Sequence, residues 1–244
     1  MLDVEGLRKS FGGTVAAADV SFTLAPGGSL GLVGESGSGK TTIARMLVGL
    51  VTPDSGTITV NGRERAGRGK AARLRRAREI QMVFQDPYLS LDPRLTAAEC
   101  LRTALRLHGK DRSRVSELLD QVGLGTREAG ARPHQLSGGQ RQRLAIARAL
   151  AVEPSVLVLD EAVAALDVSI QAQILELLAQ VRRDSGVALL FVSHDLAVVR
   201  HLCEDTLVLH RGVVVERGPV ERVLAEPEHS YTRLLLDSVP RPGR

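Results

Sequence analysis

The 244-residue sequence predicts an α/β fold with a mixed sheet, and three patterns lead to this prediction. Four strand-like segments lie within residues 2–60, and the turn Asn61-Gly62 that follows them is a strong hairpin signal. Residues 95–153 carry apolar side chains at helical spacing. Two continuously apolar runs, at residues 156–159 and 187–192, are typical of parallel strands buried on both faces. The chain therefore combines antiparallel strands near its N-terminus, a helical insertion and later parallel strands.

The composition limits the kind of core and the kind of partner. Hydrophobic residues make up 43% of the chain, enough for a sizeable core, but aromatic residues make up only 2%, so we expect an aliphatic core. The net charge of +4 is mild for this length, so nucleic acid is not predicted as a partner. The arginine-rich segment at residues 63–78 is interpreted as a solvated helix face, with contact to nucleic acid or anionic lipid as the alternative.

Other features of the sequence argue against several classes of protein. Cys100 and Cys203 are far apart and lack metal-ligand spacing, which predicts neither a disulfide framework nor a zinc site. The N-terminus lacks the apolar segment of a signal peptide. The longest apolar runs are much shorter than the roughly 18 residues of a membrane helix, so we do not expect the chain itself to span a membrane.

A phosphate-binding loop is the clearest motif of the sequence. Residues 34–41 read G-E-S-G-S-G-K-T and fit the pattern G-x-x-x-x-G-K-[ST] at every position. The apolar residues 29–33 predict a strand that enters the loop, and residues 42–50 predict a helix that leaves it, so the helix dipole favours a bound anion. Lys40 would reach the β- and γ-phosphates, and the Thr41 hydroxyl would bind Mg²⁺. The predicted loop residues are Gly34, Glu35, Ser36, Gly37, Ser38, Gly39, Lys40, Thr41 and Thr42.

Polar residues follow both predicted parallel strands. Asp160 and Glu161 follow the first strand directly, and His194 follows the second. Ligands of open α/β sheets gather at the carboxyl ends of the strands, so these residues are expected near the phosphates. Asp160 can hold Mg²⁺ through its water shell, Glu161 can orient or deprotonate an attacking water, and His194 can hydrogen-bond the γ-phosphate. Together with the phosphate loop they predict hydrolysis of a nucleotide.

A second glycine pair opens a second predicted helix, at residues 138–150. The preceding segment and the helix start read L-S-G-G-Q-R-Q-R at residues 136–143, and a helix N-terminus of this kind can also bind an anion. This octapeptide resembles the signature motif of ATP-binding cassette (ABC) ATPases. The other motifs match the same family in order, over nearly the whole length of the chain.

The resemblance implies a role for each motif. Residues 34–42 would be the Walker A loop that binds ATP, and the signature would consist of Ser137, Gly138, Gly139 and Gln140. Catalytic roles are implied for Glu161, His194 and Gln85, and Mg²⁺ would be bound by Thr41, Gln85 and Asp160. Phe11, in place of the more usual Tyr, would stack on adenine with Val15 beside it. Residues 164–167 stand at the D-loop, which would place Asp167 at the nucleotide, although Ala164 replaces the usual serine and puts coupling between two sites in question.

The resemblance also implies the architecture. We expect an ABC-type P-loop NTPase with a mixed core sheet, an N-terminal antiparallel β-subdomain and an inserted helical signature subdomain. The ATPase domain would comprise residues 1–226, with the helical subdomain at about residues 88–153. Residues 227–244 would form a short tail that resembles the start of the oligopeptide-transporter C-terminal extension.

Partners follow from the same resemblance. Two ABC ATPase subunits, identical or homologous, would pair head to tail, so that each ATP lies between the Walker A loop of one subunit and the signature of the other. Two integral-membrane permease subunits and an extracytoplasmic solute-binding protein would complete an importer. The chain would then lie peripherally on the cytoplasmic face of the inner membrane.

The substrate class depends on two further segments. Residues 84–94 and 228–236 are similar to the corresponding segments of the oligopeptide/dipeptide/nickel importer ATPases, although Ser230 replaces a usual proline. We therefore expect a peptide or a similar small solute. Two alternatives remain open: an accessory ATPase of a soluble complex of the carbon–phosphorus lyase type, and an ABC ATPase of the DNA-repair type.

Overall fold

A computed structural model describes residues 1–67 and 69–237 of the chain. The described residues divide into two compact units. The terminal unit comprises Met1–Gly67 and the described residues from Ala188 onward. The central unit comprises the described residues of the segment Arg68–Val187.

The described residues contain both strands and helices throughout their length. The strands are β1 (Leu2–Phe11), β2 (Thr14–Leu24), β3 (Ser29–Val33), β4 (Ser55–Val60), β5 (Arg63–Glu64), β6 (Ile80–Val83), β7 (Val156–Asp160), β8 (Ala188–Ser193), β9 (Asp205–His210) and β10 (Val213–Pro219). The helices are α1 (Lys40–Val48), α2 (Lys70–Glu79), α3 (Ala97–Leu107), α4 (Val115–Gln121), α5 (Thr126–Ala129), α6 (Gly138–Leu150), α7 (Val168–Ser185), α8 (Leu196–Leu202), α9 (Val220–Ala225) and α10 (Ser230–Asp237).

The terminal unit contains antiparallel and parallel strand pairs. Strands β2, β1, β4 and β5 lie side by side in this order, and all their pairs are antiparallel. In a second run, β3 lies between β8 and β9 and pairs parallel with both, while β10 pairs antiparallel with β9. The predicted N-terminal antiparallel subdomain and the predicted mixed strand pairing are both confirmed.

The central unit combines helices with one parallel strand pair. Strands β6 and β7 run parallel, with Val83 opposite Leu159 at their carboxyl ends. Between them the chain forms helices α3 to α6, which confirms the helical insertion. All residues of β7 are buried, as the continuous apolar run predicts. By contrast, helix α2 has no fully buried residue: Arg73 and Arg78 are exposed, and Arg75 and Arg76 are half-buried.

The C-terminal tail contains two short helices, α9 and α10. Both helices are too short to stand out from local sequence pattern, and packing against the rest of the terminal unit stabilises such short helices. Tyr231, Thr232 and Leu235 are the buried residues of α10. The described helices include none with the length and apolar character that crossing a membrane requires.

Candidate functional site

The predicted phosphate loop connects β3 to α1 in the terminal unit. Its strand has the predicted bounds, and its helix begins at Lys40, two residues earlier than predicted. No side chain among the described residues caps the start of α1, where Gly39 has a φ angle of 110°. A helix start that follows a glycine-rich loop in this way can bind an anion through its N–H groups.

Two glycines of the loop lie too close to neighbouring backbone for any side chain. A Cβ atom at Gly39 would lie 1.9 Å from the carbonyl oxygen of Ala16 on β2. At Gly34 a Cβ atom would lie 2.2 Å from the carbonyl oxygen of Leu209 on β9. Both glycines also have positive φ angles, which other residues rarely adopt. Glycine at these positions allows the loop to pack between two strands of its own unit.

Two polar residues of the loop, Ser38 and Lys40, are buried. The Lys40 ammonium donates to the carbonyl oxygens of Gly34 and Glu35, at 2.7 and 2.8 Å, and the residue is 4% exposed. Ser38 is also buried, and its hydroxyl oxygen has no hydrogen-bond partner among the described residues. A buried hydroxyl without a partner costs free energy unless a ligand satisfies it. The phosphate oxygens of a nucleotide fit this requirement.

Backbone and side-chain contacts hold the loop from the side of β9 and β10. Gly212, in the turn between these strands, donates its N–H to the Ser38 carbonyl oxygen at 2.9 Å. The Tyr231 hydroxyl on α10 accepts the N–H of Glu35, also at 2.9 Å. The sequence predicted neither contact, and the only available signal was that Tyr231 is one of two tyrosines in an aromatic-poor chain.

The remaining predicted residues of the terminal unit lie near the same elements. Phe11 and Val15 are about half exposed at the tip of the β1–β2 hairpin, whose second strand also contacts Gly39. The Lys9 ammonium lies 5.3 Å from the centre of the Phe11 ring. His194 follows β8, and the register of β3 with β8 places Val33 opposite Ser193. The loop and His194 therefore leave adjacent parallel strands at the same edge.

Gln85, Asp160 and Glu161 come together in an analogous way in the central unit. The register of β6 with β7 brings the chain after Val83 and the chain after Leu159 to one edge. Asp160 is buried, Glu161 is half-buried, and Gln85 is exposed. The backbone of Glu161 has a φ angle of 49°, in the left-handed region that non-glycine residues rarely adopt. Such backbone strain is concentrated at functional sites, where it directs a side chain.

The signature residues form the start of α6. Ser137 occupies the N-cap: its hydroxyl accepts the N–H of Gln140 at 3.2 Å, and its own N–H donates to the Gln140 side chain at 2.9 Å. Ser137 and Gly138 are exposed. A Cβ atom at Gly139 would lie 2.6 Å from the side chain of Ile170 on α7, so the signature packs closely against the helix that follows the D-loop.

The signature helix also contacts the segment that follows Gln85. The Arg141 guanidinium donates to the Tyr88 hydroxyl at 2.6 Å and lies 4.8 Å from the centre of the Tyr88 ring. The buried Gln142 side chain donates to the Phe84 carbonyl oxygen at 3.5 Å. These contacts connect the predicted Q-loop with the signature inside one unit.

Asp167 occupies the N-cap position of α7, and its side chain makes no capping hydrogen bond. The carboxylate of this exposed residue is therefore not committed to its own helix start, which is compatible with a role at a nucleotide.

Glu216 is a buried carboxylate that sequence reasoning did not identify. It lies on β10 and accepts hydrogen bonds from the N–H groups of Glu228 and His229 and from the Thr232 hydroxyl. Burial raises the pKa of this carboxyl, but the three hydrogen bonds outweigh burial and hold the pKa below its ordinary value. Burial also raises the pKa of the Tyr231 phenol, which stays protonated in neutral solution.

The predicted site residues are thus placed in two groups. The terminal unit contains the phosphate loop, Phe11, Val15 and His194, and the central unit contains Gln85, the signature, Asp160, Glu161 and Asp167. Within each unit the structure brings the predicted residues to common edges or helix starts.

Comparison with known proteins gives independent findings. A family model described as ABC transporter matches residues 17–164, and another, described as the C-terminal region of oligopeptide/dipeptide transporters, matches residues 215–244. Over 97% of its length the chain is 48% identical to the oligopeptide transport ATP-binding protein OppD of Mycobacterium tuberculosis (strain ATCC 25618 / H37Rv). Over 92% of its length it is 50% identical to the glutathione import ATP-binding protein GsiA of Escherichia coli (strain K12).

The fold matches a solved cassette. The chain resembles the dimeric structure of the ATP-binding cassette MJ0796 in a post-hydrolysis state bound to ADP and Pi, with a TM-score of 0.80 and 30% identity, over 90% of this chain and 99% of the other. It spans only 39% of the length of OppD and 37% of that of GsiA. Because the ABC transporter model matches more than half of the residues, the chain belongs to the ABC transporter family.

Proposed function

We propose that this chain binds and hydrolyses ATP and so energises a membrane importer for peptides or a similar small solute. The phosphate loop carries the proposal. It is fixed between β2 and β9 by glycines that no other residue could replace, and it buries a serine hydroxyl that has no partner among the described residues. The resemblance to a cassette that was solved with ADP and Pi supports the same ligand class.

Binding of ATP uses the terminal unit. The Ser38 hydroxyl, the Lys40 ammonium and the N–H groups at the start of α1 would hold the phosphates. Lys40 donates to two loop carbonyls in the structure, so phosphate binding would redirect a charged donor that is already inside the loop. The half-exposed Phe11 ring offers a face for adenine, with Val15 nearby.

Hydrolysis would use residues that follow the parallel strands. Glu161 would accept the proton of the attacking water, and His194 would hydrogen-bond the γ-phosphate. Thr41, Gln85 and Asp160 supply hydroxyl, amide and carboxylate oxygens, the donor types that Mg²⁺ prefers. When bound, Mg²⁺ neutralises charge on the phosphates.

A second subunit would complete the site. The signature begins at exposed residues, and Ser137 and Gly138 can therefore meet the γ-phosphate of a nucleotide bound to another copy or to a homologous subunit. The MJ0796 cassette was solved as a dimer with ADP and Pi, which supports this arrangement. We infer that the isolated chain binds ATP and that turnover requires the pair.

The proposed transport role depends on the relatives and on two segments. OppD is named for transport of oligopeptides and GsiA for import of glutathione, and the tail matches the oligopeptide/dipeptide C-terminal region. The proposed partners are two integral-membrane permeases and an extracytoplasmic solute-binding protein, with the chain on the cytoplasmic face of the inner membrane. The soluble accessory ATPase and the DNA-repair ATPase are less well supported.

Glu161→Gln tests the hydrolytic role. Loss of a general base lowers rates by about 10²–10⁴-fold, so ATP turnover should fall by that factor while ATP affinity stays within about twofold of wild type. Glu176→Gln is the matched control, because it makes the same change at an exposed position on α7. Phosphate release and ATP binding should be measured on both variants. Wild-type turnover in Glu161→Gln would contradict the proposal.

The transport role needs a separate experiment. The chain should co-purify with two membrane permeases from its native cells, and a peptide should stimulate ATP turnover in the reconstituted assembly. Co-purification with soluble enzymes instead would favour the accessory alternative. DNA binding that weakens steeply with salt would favour the DNA-repair alternative.

A further inference from the structure

One hydrogen bond of the phosphate loop joins residues that are far apart in the sequence, and the proposed mechanism does not use it. The Tyr231 hydroxyl accepts the N–H of Glu35 at 2.9 Å, although the two residues are 196 positions apart in the chain. Tyr231 is only 6% exposed, whereas Glu35 is exposed. A buried side chain of the C-terminal tail therefore forms a hydrogen bond with the backbone of the loop.

Neighbouring groups fix the position of the tyrosine. Its ring lies 3.9 Å, centre to centre, from the His210 ring at the end of β9. Its backbone N–H donates to the His229 imidazole at 3.1 Å. A hydroxyl on a fixed ring loses little conformational entropy when it makes one more hydrogen bond.

Glu216 connects the tail to the same strands. Its carboxylate accepts the N–H groups of Glu228 and His229, at 2.9 and 3.0 Å, and the Thr232 hydroxyl. Glu216 lies on β10, which pairs with β9, and the Leu209 carbonyl of β9 is the group that packs against Gly34. The tail, the two strands and the loop thus form one connected set within the terminal unit.

The phosphate loop needs such support because of its composition. Three glycines in six residues leave its backbone with many accessible conformations, and only those with inward N–H groups bind phosphate. The apparent affinity of a ligand falls by the fraction of molecules in the competent conformation. A contact that fixes the outward N–H of Glu35 raises that fraction.

We propose that Tyr231 is a positioning residue that holds the phosphate loop in its nucleotide-binding conformation, and that docking of residues 228–237 thereby sets the affinity for nucleotide. The inference rests on the proposed function, because it takes the phosphate loop as the ATP site. Tyr231 touches no reacting atom in this account, and its effect passes through Glu35.

Tyr231→Phe tests the proposal directly. The change removes the accepting oxygen but keeps the ring against His210. We expect a roughly five- to tenfold higher Kd for ATP, the equivalent of about 1–1.4 kcal/mol for one hydrogen bond, and an equal rise in KM. The rate at saturating ATP should stay within about twofold of wild type. Binding should be measured with a fluorescent ATP analogue, and amide hydrogen exchange at residues 34–37 should become faster without nucleotide.

Two further variants show whether the effect comes from docking of the tail. Thr232→Val removes one bond to Glu216 without touching the loop and should raise the Kd in the same direction. Leu234→Ala changes an exposed side chain on the same helix and should leave the Kd unchanged. A wild-type Kd in Tyr231→Phe, or a fall in the saturated rate with unchanged KM, would overturn the positioning role. A wild-type chain that bound no ATP would overturn the proposed function as well, so the two failures can be told apart.

Discussion

The two glycine-flanked helix starts of this chain differ in how their polar groups are satisfied. At the phosphate loop, Ser38 and Lys40 are buried, and the N-cap residue Gly39 has no side chain to cap α1. At the signature, Ser137 is exposed and caps α6 with its own hydroxyl. The first start is enclosed by strands of its own unit. The second is a stable helix start whose outer face is free to meet another molecule.

This difference gives the two starts separate tasks. The loop should determine whether one chain binds nucleotide, and the signature should determine whether two chains hydrolyse it. Changes at the two positions should therefore affect different measurements, and the following experiments use that separation.

The largest effect is expected at Gly39. Gly39→Ala places a Cβ atom 1.9 Å from the Ala16 carbonyl oxygen, so the loop cannot keep its position and ATP affinity should fall by more than about 100-fold. Gly49→Ala is the control, because that glycine at the end of α1 also has a positive φ angle, 83°, but nothing within 4 Å of a Cβ atom. Calorimetric titration with ATP should detect the difference. Equal affinities in both variants would show that the close approach is not essential.

The next effect is expected at the signature. Ser137→Ala should lower ATP turnover by roughly 10²-fold, as loss of one donor to a transition state does, and should leave the ATP affinity of the single chain unchanged. Thr96→Ala is a matched control, because Thr96 forms an equivalent capping box on α3 of the same unit. Both variants should lose about 0.5–2 kcal/mol of stability, but only Ser137→Ala should lose turnover. Equal ATP turnover in the two variants would show that Ser137 only caps the helix and has no role in hydrolysis.

The sequence predicted the local elements more successfully than the contacts between them. The bounds of β3 and α6 agree with the prediction because an apolar run and a Ser-Gly-Gly start define them locally. The predicted start of α1, at residue 42, lay two residues after the observed start, because Lys40 belongs to both the loop and the helix. The local sequence pattern was therefore sufficient to predict the bounds of elements whose structure depends on their own residues.

Residues with long-range partners could not be predicted in this way. Glu216 reads as an exposed charge on a terminal strand, and only the tail 12 to 16 positions later explains its burial. The hydroxyl contact of Tyr231 joins segments 196 positions apart. The left-handed backbone of Glu161 likewise gives no sequence signal. The roles of the site residues remain predictions that the experiments test.

The smallest effect is a pH dependence of the tail. Because the folded-state pKa of Glu216 lies below its ordinary value, its hydrogen bonds stabilise the tail above the unfolded pKa and are lost as the pH falls through the folded pKa. Docking should be equal at about pH 7 and pH 5 and weaken below about pH 4, as the Glu216 carboxylate becomes protonated. Amide exchange of residues 228–237 should report this, with Glu216→Gln as a control that has no such transition. Unchanged protection in acid would exclude Glu216 as the group that holds the tail.

The central claim is that one chain's loop works with another chain's signature. Lys40→Ala removes the loop cation and Ser137→Ala removes the signature hydroxyl, so each variant alone should have little ATP turnover. In a mixture, half of randomly paired dimers would contain both chains and one intact site, and up to about a quarter of wild-type turnover should return. Turnover that stays at the sum of the two variants, with a wild-type rate per chain independent of chain concentration, would contradict the account.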